Sequence, residues 1–423
     1  MAFSNLKYED PWIRIEMASR DLAPHLPETM LRHGRKLPRG EFDVWYKCDH
    51  LRETGSYKER GALNALLRMP PEVRNQGAIA ASAGNHAQAL ALWGQRLGVK
   101  VTVVMPVHSP LVKVSNCRAL GAEVLLQGED FGKAKEFAEK MAMETKMKYV
   151  NGYDDPDVIF GAGTCGLEIL RQLKDVDAVI VPVGGGGLIA GVALAMKRMK
   201  PSVKIIGVES ERCPSMTKAL AAKKPVMTPL AAGGTLADGL AVTQVGNNAF
   251  ELVTHFVDSV ITVEEHFISM AIVHLLEKEK MLVEGAGCCG LAGILSGKLD
   301  YLQKKNVVII LCGGNIDLTV LGRVIERGLF STGRLMQFDC AISDRVGGLA
   351  RFCACLSKTG ASVKEIVQER PYISDVNVCS VHLTVEVRDV THGQKVIADM
   401  SDNHYTLLVC DDKKYDNIDL SKL

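Results

Sequence analysis

The chain has almost no charge imbalance: 50 Lys and Arg against 49 Asp and Glu leave a formal net charge of +1 over 423 residues. Nucleic acids and anionic membranes attract proteins through a summed positive field, and this sequence offers none. It also has no apolar run of membrane-spanning length. The N-terminal stretch carries Glu9, Asp10 and Glu16, with neither an apolar signal core nor the Arg- and Ser-rich, acid-free character of a transit peptide. A cytoplasmic protein with no nucleic-acid or membrane partner is expected. The 12 cysteines follow no metal pattern. Cys288 and Cys289 are adjacent, and Cys353 and Cys355 alternate; neither spacing builds a zinc site. Without secretory context, buried reduced thiols are expected rather than a disulfide framework.

What is present is a core and a rhythm. A hydrophobic content of 47% over this length predicts two or three domains. Short β-rich runs at Ala78 to Ala81, Val101 to Met105, Glu123 to Leu126, Ala178 to Pro182, Lys204 to Val208 and Val307 to Leu311 alternate with amphipathic stretches such as Ala87 to Leu97 and Phe131 to Thr145. That alternation predicts parallel sheets with crossover helices.

Two segments carry chemistry. In Glu53-Thr54-Gly55-Ser56-Tyr57-Lys58-Glu59-Arg60-Gly61-Ala62, Ser56 and Glu59 have the spacing of a reciprocal capping box, with Ala62, Leu63, Leu66 and Leu67 on one helical face beyond it. Lys58 is thereby placed in the first helical turn, where free amides and the positive end of the helix dipole disfavour its ammonium form. The second segment, Gly184-Gly185-Gly186-Gly187, lies between a buried-strand run and a helical stretch from Leu188 to Met199. Unhindered amides at such a turn can wrap a phosphate. The tract lacks the Lys-Ser/Thr ending of a nucleoside-triphosphate loop and the spacing of a dinucleotide fingerprint, so a small phosphate monoester is the better guest. An amine and a phosphate cradle are the two halves of a pyridoxal phosphate site.

The chain resembles the threonine/serine dehydratase family of fold type II pyridoxal-phosphate enzymes over roughly residues 10 to 330. The resemblance is carried, in order, by Thr54 to Ala62, Ala81-Ser82-Ala83-Gly84-Asn85-His86, the four glycines, Thr235 to Val242, Glu284-Gly285-Ala286-Gly287 and Cys312-Gly313-Gly314-Asn315. It implies a tryptophan-synthase-β-like catalytic region over 1–330. Within it, a small mobile α/β domain at about 53–160 sits inside a larger one formed by about 1–52 and 161–330.

The resemblance also implies roles. Lys58 would hold the cofactor as an imine and then act as the general base at the substrate α-carbon, with Tyr57 packed on the ring. Gly184, Gly185, Gly186 and Gly187 would hold the phosphate, Asn85 would bond the ring hydroxyl, and Gly239 would lie close to the ring. Ser82, Ala83, Gly84, Asn85 and His86 would form the substrate-carboxylate loop. Cys312 would face the pyridine nitrogen; a neutral side chain there makes the cofactor a modest electron sink and suits β-elimination of water from L-threonine or L-serine. Serine racemases look similar but carry a serine hydroxyl where this chain has Ala83, and a methyl group cannot serve as the second base. Glu209 stands where relatives hold a cation. With Ser215 replacing a later acidic ligand, either a monovalent or weakly held divalent ion or a carboxylate that caps a loop is expected.

After Phe330 the order strand, helix, strand, strand, helix, strand (Leu335 to Ile342, Gly347 to Lys358, Ala361 to Glu369, Val376 to Arg388, Gln394 to Ser401, Tyr405 to Cys410) predicts a ferredoxin-like unit over 334–411. Ile342 to Ala350 is similar to the opening loop of ACT regulatory domains. That similarity implies an amino-acid effector and a homo-oligomer, against a module that serves assembly alone. A catalytically vestigial amino-acid sensor is the reading of another class; the presence of Lys58, Asn85, the glycine tract and Cys312 opposes it.

Overall fold

The computed structural model describes residues 10–370 and 376–409. By contacts the chain divides after Ile316 into two compact units. In chain order the strands of the first unit are β1 (Leu31–His33), β2 (Asp43–Lys47), β3 (Ala78–Ala81), β4 (Val101–Met105), β5 (Glu123–Leu126), β6 (Lys148–Tyr149), β7 (Ala178–Pro182), β8 (Lys204–Ser210), β9 (Ser259–Val263) and β10 (Asn306–Ile310).

They form two sheets, one in the order β1-β2-β10-β7-β8-β9 and one in the order β5-β4-β3-β6. Every pairing is parallel except β1 with β2. Sheets covered on both faces need continuous apolar strands, and β3, β4 and β7 are buried at every position. In the larger sheet Val179, Val181, Ile205, Val308 and Ile310 share a core with Ile189, Ala193 and Met196 of the helix Gly187–Met199. In the smaller sheet Leu90 and Trp93 of the helix Asn85–Leu97 pack with Val101 and Val103, while Ala134 and Ala138 of the helix Phe131–Thr145 pack with Ile79 and Val104. The α/β expectation is met, with four strands as expected; β8 runs on to Ser210 and β10 starts and ends one residue early.

The second unit opens with the helix Leu318–Ser331 and continues as β11 (Leu335–Ser343), the helix Gly348–Lys358, β12 (Ser362–Glu369), β13 (Val378–Glu386), the helix Val390–Asp402 and β14 (Leu408–Val409). Its sheet order β12-β13-β11-β14, antiparallel throughout, is the ferredoxin-like arrangement. Phe338, Val381 and Leu383 form its core beneath Phe352, Leu356, Val396 and Met400.

Three elements of this unit differ from the sequence expectation by two residues or more at an end, and the others by at most one. The last helix begins at Val390 rather than Gln394, because the Asp389 carboxylate caps it by accepting from the His392 amide at 2.8 Å. β13 is shorter at both ends than Val376 to Arg388. Tyr405 does not enter the sheet: its amide closes the preceding turn on the Met400 carbonyl and its ring packs edge-on against Phe352. β14 is left with two residues; Cys410 lies outside the described residues.

Candidate active site

The lysine turn is built differently from a capping box. Ser56 forms a β-bridge with Gly313 and the Tyr57 amide donates to the Cys312 carbonyl at 2.9 Å, so this backbone continues the edge of β10 instead of turning into the helix. The helix Lys58–Leu67 has Tyr57 as its N-cap residue, and Glu59 reaches back past Ser56 to accept from the Thr54 amide at 2.6 Å and hydroxyl at 2.9 Å. Among the described residues the buried Ser56 hydroxyl has no partner. The capping expectation is thus corrected, while Lys58 does begin the helix.

The Lys58 ammonium donates to the Gly152 carbonyl and lies 5.0 Å from the centre of the Tyr57 ring. Burial lowers its pKa to about 8, against the opposing influence of Cys312 and Glu284. Two residues on, the Arg60 guanidinium is enclosed by carboxylates. It meets Asp49 at 2.7 and 2.8 Å and Glu168 at 2.5 and 2.8 Å. The Lys47 amine joins the same cluster, 2.6 Å from Glu168. This buried cluster ties the first turn of the lysine helix to β2 and to the helix Pro156–Gln172.

The loop that receives the lysine also roofs the glycine tract. Gly152 faces Lys58, and the next residue, Tyr153, packs so closely on the tract that a Cβ on Gly185 would collide with its ring and one on Gly187 with its carbonyl. Gly186 sits at φ +98°, a left-handed conformation that favours glycine, and caps the helix that starts at Gly187. Among the described residues no acceptor is found for the amides of Gly184, Gly185, Gly186 and Gly187. A bed of free amides at a helix N-terminus, next to a desolvated amine, fits an aldehyde-bearing phosphate monoester.

Opposite lies the loop Ser82 to Gly84, leading into the helix Asn85–Leu97. The Ser82 amide is spent on the Val104 carbonyl and its hydroxyl accepts from the Gly84 amide at 3.3 Å. Donors left over are the Ser82 O–H and the amides of Ala83, Asn85 and His86. The His86 side chain turns away: one ring nitrogen meets the Val150 carbonyl at 3.0 Å, and burial holds its pKa down at about 3. Its ring lies under Gly152, where a Cβ would reach it at 2.7 Å. The His86 ring thus supports the loop that receives Lys58, and its amide is what His86 has left for the expected carboxylate loop.

The Asn85 side chain is held at both ends. Its amide nitrogen donates to Glu284 at 2.9 Å and its oxygen accepts from Asn315 at 2.8 Å. Glu284, buried as the N-cap residue of the helix Gly285–Leu295, has its pKa pushed up by burial to about 7. Gly239 lies against this group, its missing Cβ 3.1 Å from Ala286 and 3.5 Å from Glu284. Cys312, just past β10, has a thiol that burial raises well above the ordinary range and so keeps neutral.

Glu209 is drawn elsewhere. Its carboxylate accepts from the Met216 amide at 2.6 Å, the Thr217 amide at 2.9 Å and the Thr217 hydroxyl at 2.7 Å, capping the helix Ser215–Ala222. Among the described residues no group of three or more His, Cys, Asp or Glu side chains could hold a metal. Of the two expectations for Glu209, the cap is seen in these contacts.

Sequence reading gave no role to Glu284, Asn315, Gly152 or Tyr153. The first two closed quoted motifs, but their meeting with Asn85 is tertiary. The others sit in Asn151-Gly152-Tyr153-Asp154-Asp155-Pro156, whose turn residues announce a helix start and nothing more.

Comparison with known proteins agrees with this geometry. The family profile described as pyridoxal-phosphate dependent enzyme matches residues 24–313. The L-threonine ammonia-lyase of Geobacter sulfurreducens is 40% identical over 92% of this chain and 96% of its own length. Among solved structures, the processed form of threonine deaminase isoform 2 from Solanum lycopersicum superposes with a TM-score of 0.71 at 36% identity, covering 76% of this chain and 94% of that one. A maize serine racemase gives 0.69 at 29%, covering 76% and 99%. No helix among the described residues is long and apolar enough to cross a membrane.

Proposed function

The chain belongs to the pyridoxal-phosphate-dependent enzyme family, and from that premise we propose how its residues remove water from L-threonine or L-serine to give a 2-oxo acid and ammonia. One observation carries the reading: consecutive residues Gly152 and Tyr153 join a buried amine, Lys58, to the glycine cradle.

Bound at Lys58, pyridoxal phosphate supplies an electron-withdrawing ring that makes the substrate α-proton removable. The amides of Gly184 to Gly187 would hold the phosphate, Tyr57 would back the ring, Gly239 would leave it room, and Asn85 would offer an N–H to the ring oxygen. The Ser82 hydroxyl and the amides of Ala83, Asn85 and His86 take the substrate carboxylate at a helix N-terminus. Lys58, with its amine free and its pKa lowered by burial, would remove the substrate α-proton as general base. The neutral Cys312 thiol would stabilise a protonated pyridine nitrogen poorly, so the cofactor would supply only a modest electron sink; the pair from the C–H bond would leave with the β-hydroxyl, which departs as water with a proton equivalent to the one Lys58 takes. The enamine product takes water back and releases ammonia. On the far face Ala83 has no proton to give, which favours dehydration over racemisation.

The lobe at about 53–160 acts as the small mobile domain within 1–330. The unit at 334–411 is an ACT-like regulatory domain that binds an amino-acid effector near Ile342 to Ala350 and assists a homo-oligomer, in a cytoplasmic protein. Bringing L-threonine to the purified, cofactor-loaded protein tests the central claim. A shift of the visible band of the lysine-bound cofactor, with 2-oxobutyrate and ammonia in equal amounts, is expected. D-serine formed from L-serine with little 2-oxo acid would turn the assignment to racemase, and no band after cofactor addition would turn it to a vestigial sensor.

A further inference from the structure

Four segments distant in sequence converge on a chain of polar contacts: the Thr54 carbonyl, Asn315, Asn85 and Glu284. The Asn315 side-chain nitrogen donates to the Thr54 carbonyl at 2.6 Å and to the Asn85 oxygen at 2.8 Å. The Asn85 nitrogen donates to Glu284 Oε1 at 2.9 Å, and Glu284 Oε2 accepts from the Asn315 amide at 3.1 Å. The chain is enclosed by glycines. A Cβ on Gly313 would collide with the Glu284 carboxylate, and one on Gly55, at φ +74°, with the Asn315 side chain.

Both ends of this chain are fixed in polarity. A peptide carbonyl only accepts, and so does an ionised carboxylate. Two amides between two acceptors have one consistent arrangement, in which each turns its nitrogen outward and the inner contact is Asn315 nitrogen to Asn85 oxygen. One Asn85 hydrogen is consumed by Glu284, and the one left over is a donor. A protonated Glu284 weakens the pattern. Whichever oxygen carries the proton loses acceptor strength, so the contact from the Asn85 side-chain N–H or the one from the Asn315 amide is weakened.

We propose that Glu284 is a positioning residue: together with Asn315, which the Thr54 carbonyl orients from the other end, its ionised carboxylate holds the Asn85 amide so that Asn85 offers an N–H to the oxygen of the cofactor ring. The assignment rests on the reading of Asn85 as the partner of that oxygen. Glu284 touches Asn85 and Asn315, not the reacting atoms, and acts through Asn85.

The charged and titratable surroundings make the carboxylate responsive near neutrality. Burial and Asp238 push its pKa up, while the contacts from Asn85 and Asn315, and Lys113, which pairs with Asp238 at 3.3 Å, pull it down. Lys58, Tyr57, Cys312 and Cys288 face it from the lysine turn, the end of β10 and its own helix. With burial lifting its pKa to about 7, the carboxyl changes protonation state around neutrality.

The test is a pH titration of the visible spectrum of the cofactor-loaded protein without substrate, in wild type, Glu284→Gln and Glu284→Asp, with kcat measured alongside. Wild type is expected to change spectrum near neutrality and to lose about tenfold in kcat per pH unit on the acid side, as for one essential carboxylate. Glu284→Gln keeps the size but places an N–H against Asn85, so it should show the acid-side spectrum at every pH. Glu284→Asp, still an acceptor at both oxygens, should restore a titration with a displaced midpoint. A Glu284→Gln protein that titrates like wild type, an aspartate variant indistinguishable from the glutamine one, or a wild type with no transition near neutrality would each overturn the proposal. The last requires no variant to fold. If the wild type forms no cofactor band, the underlying reading of the site falls; if it forms the band and dehydrates threonine while failing the spectral tests, only the relay falls.

Discussion

Lys58 can capture an aldehyde only without its proton, and burial moves that condition toward neutrality. With its pKa lowered from 10.5 to about 8, the rate at which cofactor-free protein captures pyridoxal phosphate should rise with pH up to about 8 and then level off. A stopped-flow profile that kept climbing to 10.5 would show a solvated lysine instead. Lys58→Ala should lose the visible band and on the order of 10²–10⁴-fold in turnover, the usual worth of a positioned base. Glu284 makes the opposite linkage. Its folded pKa lies above the unfolded value of 4.5, so the folded state holds the extra proton. The resulting stability is complete below 4.5 and is lost as pH rises through about 7. At about 1.4 kcal/mol per pH unit, the loss for cofactor-free protein is on the order of 3 kcal/mol. Urea midpoints of wild type minus Glu284→Gln should therefore fall between pH 4.5 and 7, and a flat difference would contradict the assignment.

At the scale of elements, the lysine helix is held by charge as much as by apolar packing. Burial alone would raise Asp49 and Glu168, but the Arg60 charge and its hydrogen bonds outweigh it and hold both below the ordinary carboxylate range. Removing the cation takes away the ion-pair partner of buried Asp49 and leaves Glu168 to Lys47 and Arg52, so Arg60→Met should cost about 3–5 kcal/mol in denaturant unfolding. A loss under about 1 kcal/mol, the size of an exposed pair, would mean that water reaches the cluster. Strands such as Ala178–Pro182 could be read directly because burial on both faces leaves a continuous apolar run in the sequence. The glycine tract was legible for a related reason: only glycine tolerates the approach of Tyr153, although nothing local named Tyr153 as the neighbour. Caps were less legible. Ser56 and Glu59 have capping-box spacing, yet pairing of Ser56 with Gly313 decided the outcome, and that contact spans the unit. For Glu209 the sequence left a cation ligand and a cap side by side, and its carboxylate does accept from amides of the helix that follows it.

For the molecule as a whole, the division after Ile316 carries a consequence that the sequence boundary near residue 330 does not. The helix Leu318–Ser331 packs against β11, within the second unit, and its Val324 and Gly328 are buried. A chain ending at Ile316 should therefore keep the first unit's fold, bind pyridoxal phosphate with an unaltered visible band and dehydrate L-threonine. A chain ending at Phe330 keeps an amphipathic helix without the sheet it covers, and should aggregate more readily on heating. If the second unit is the seat of regulation, an amino-acid effector such as isoleucine, valine or serine must prefer one state of the catalytic cleft. Typical coupling of about 1–3 kcal/mol shifts affinity roughly 5- to 150-fold. Substrate saturation curves with and without each amino acid should separate for the full chain and coincide for the chain ending at Ile316. Curves that still separate in the shortened chain would place the effector site in the first unit and leave the ferredoxin-like unit a role in assembly.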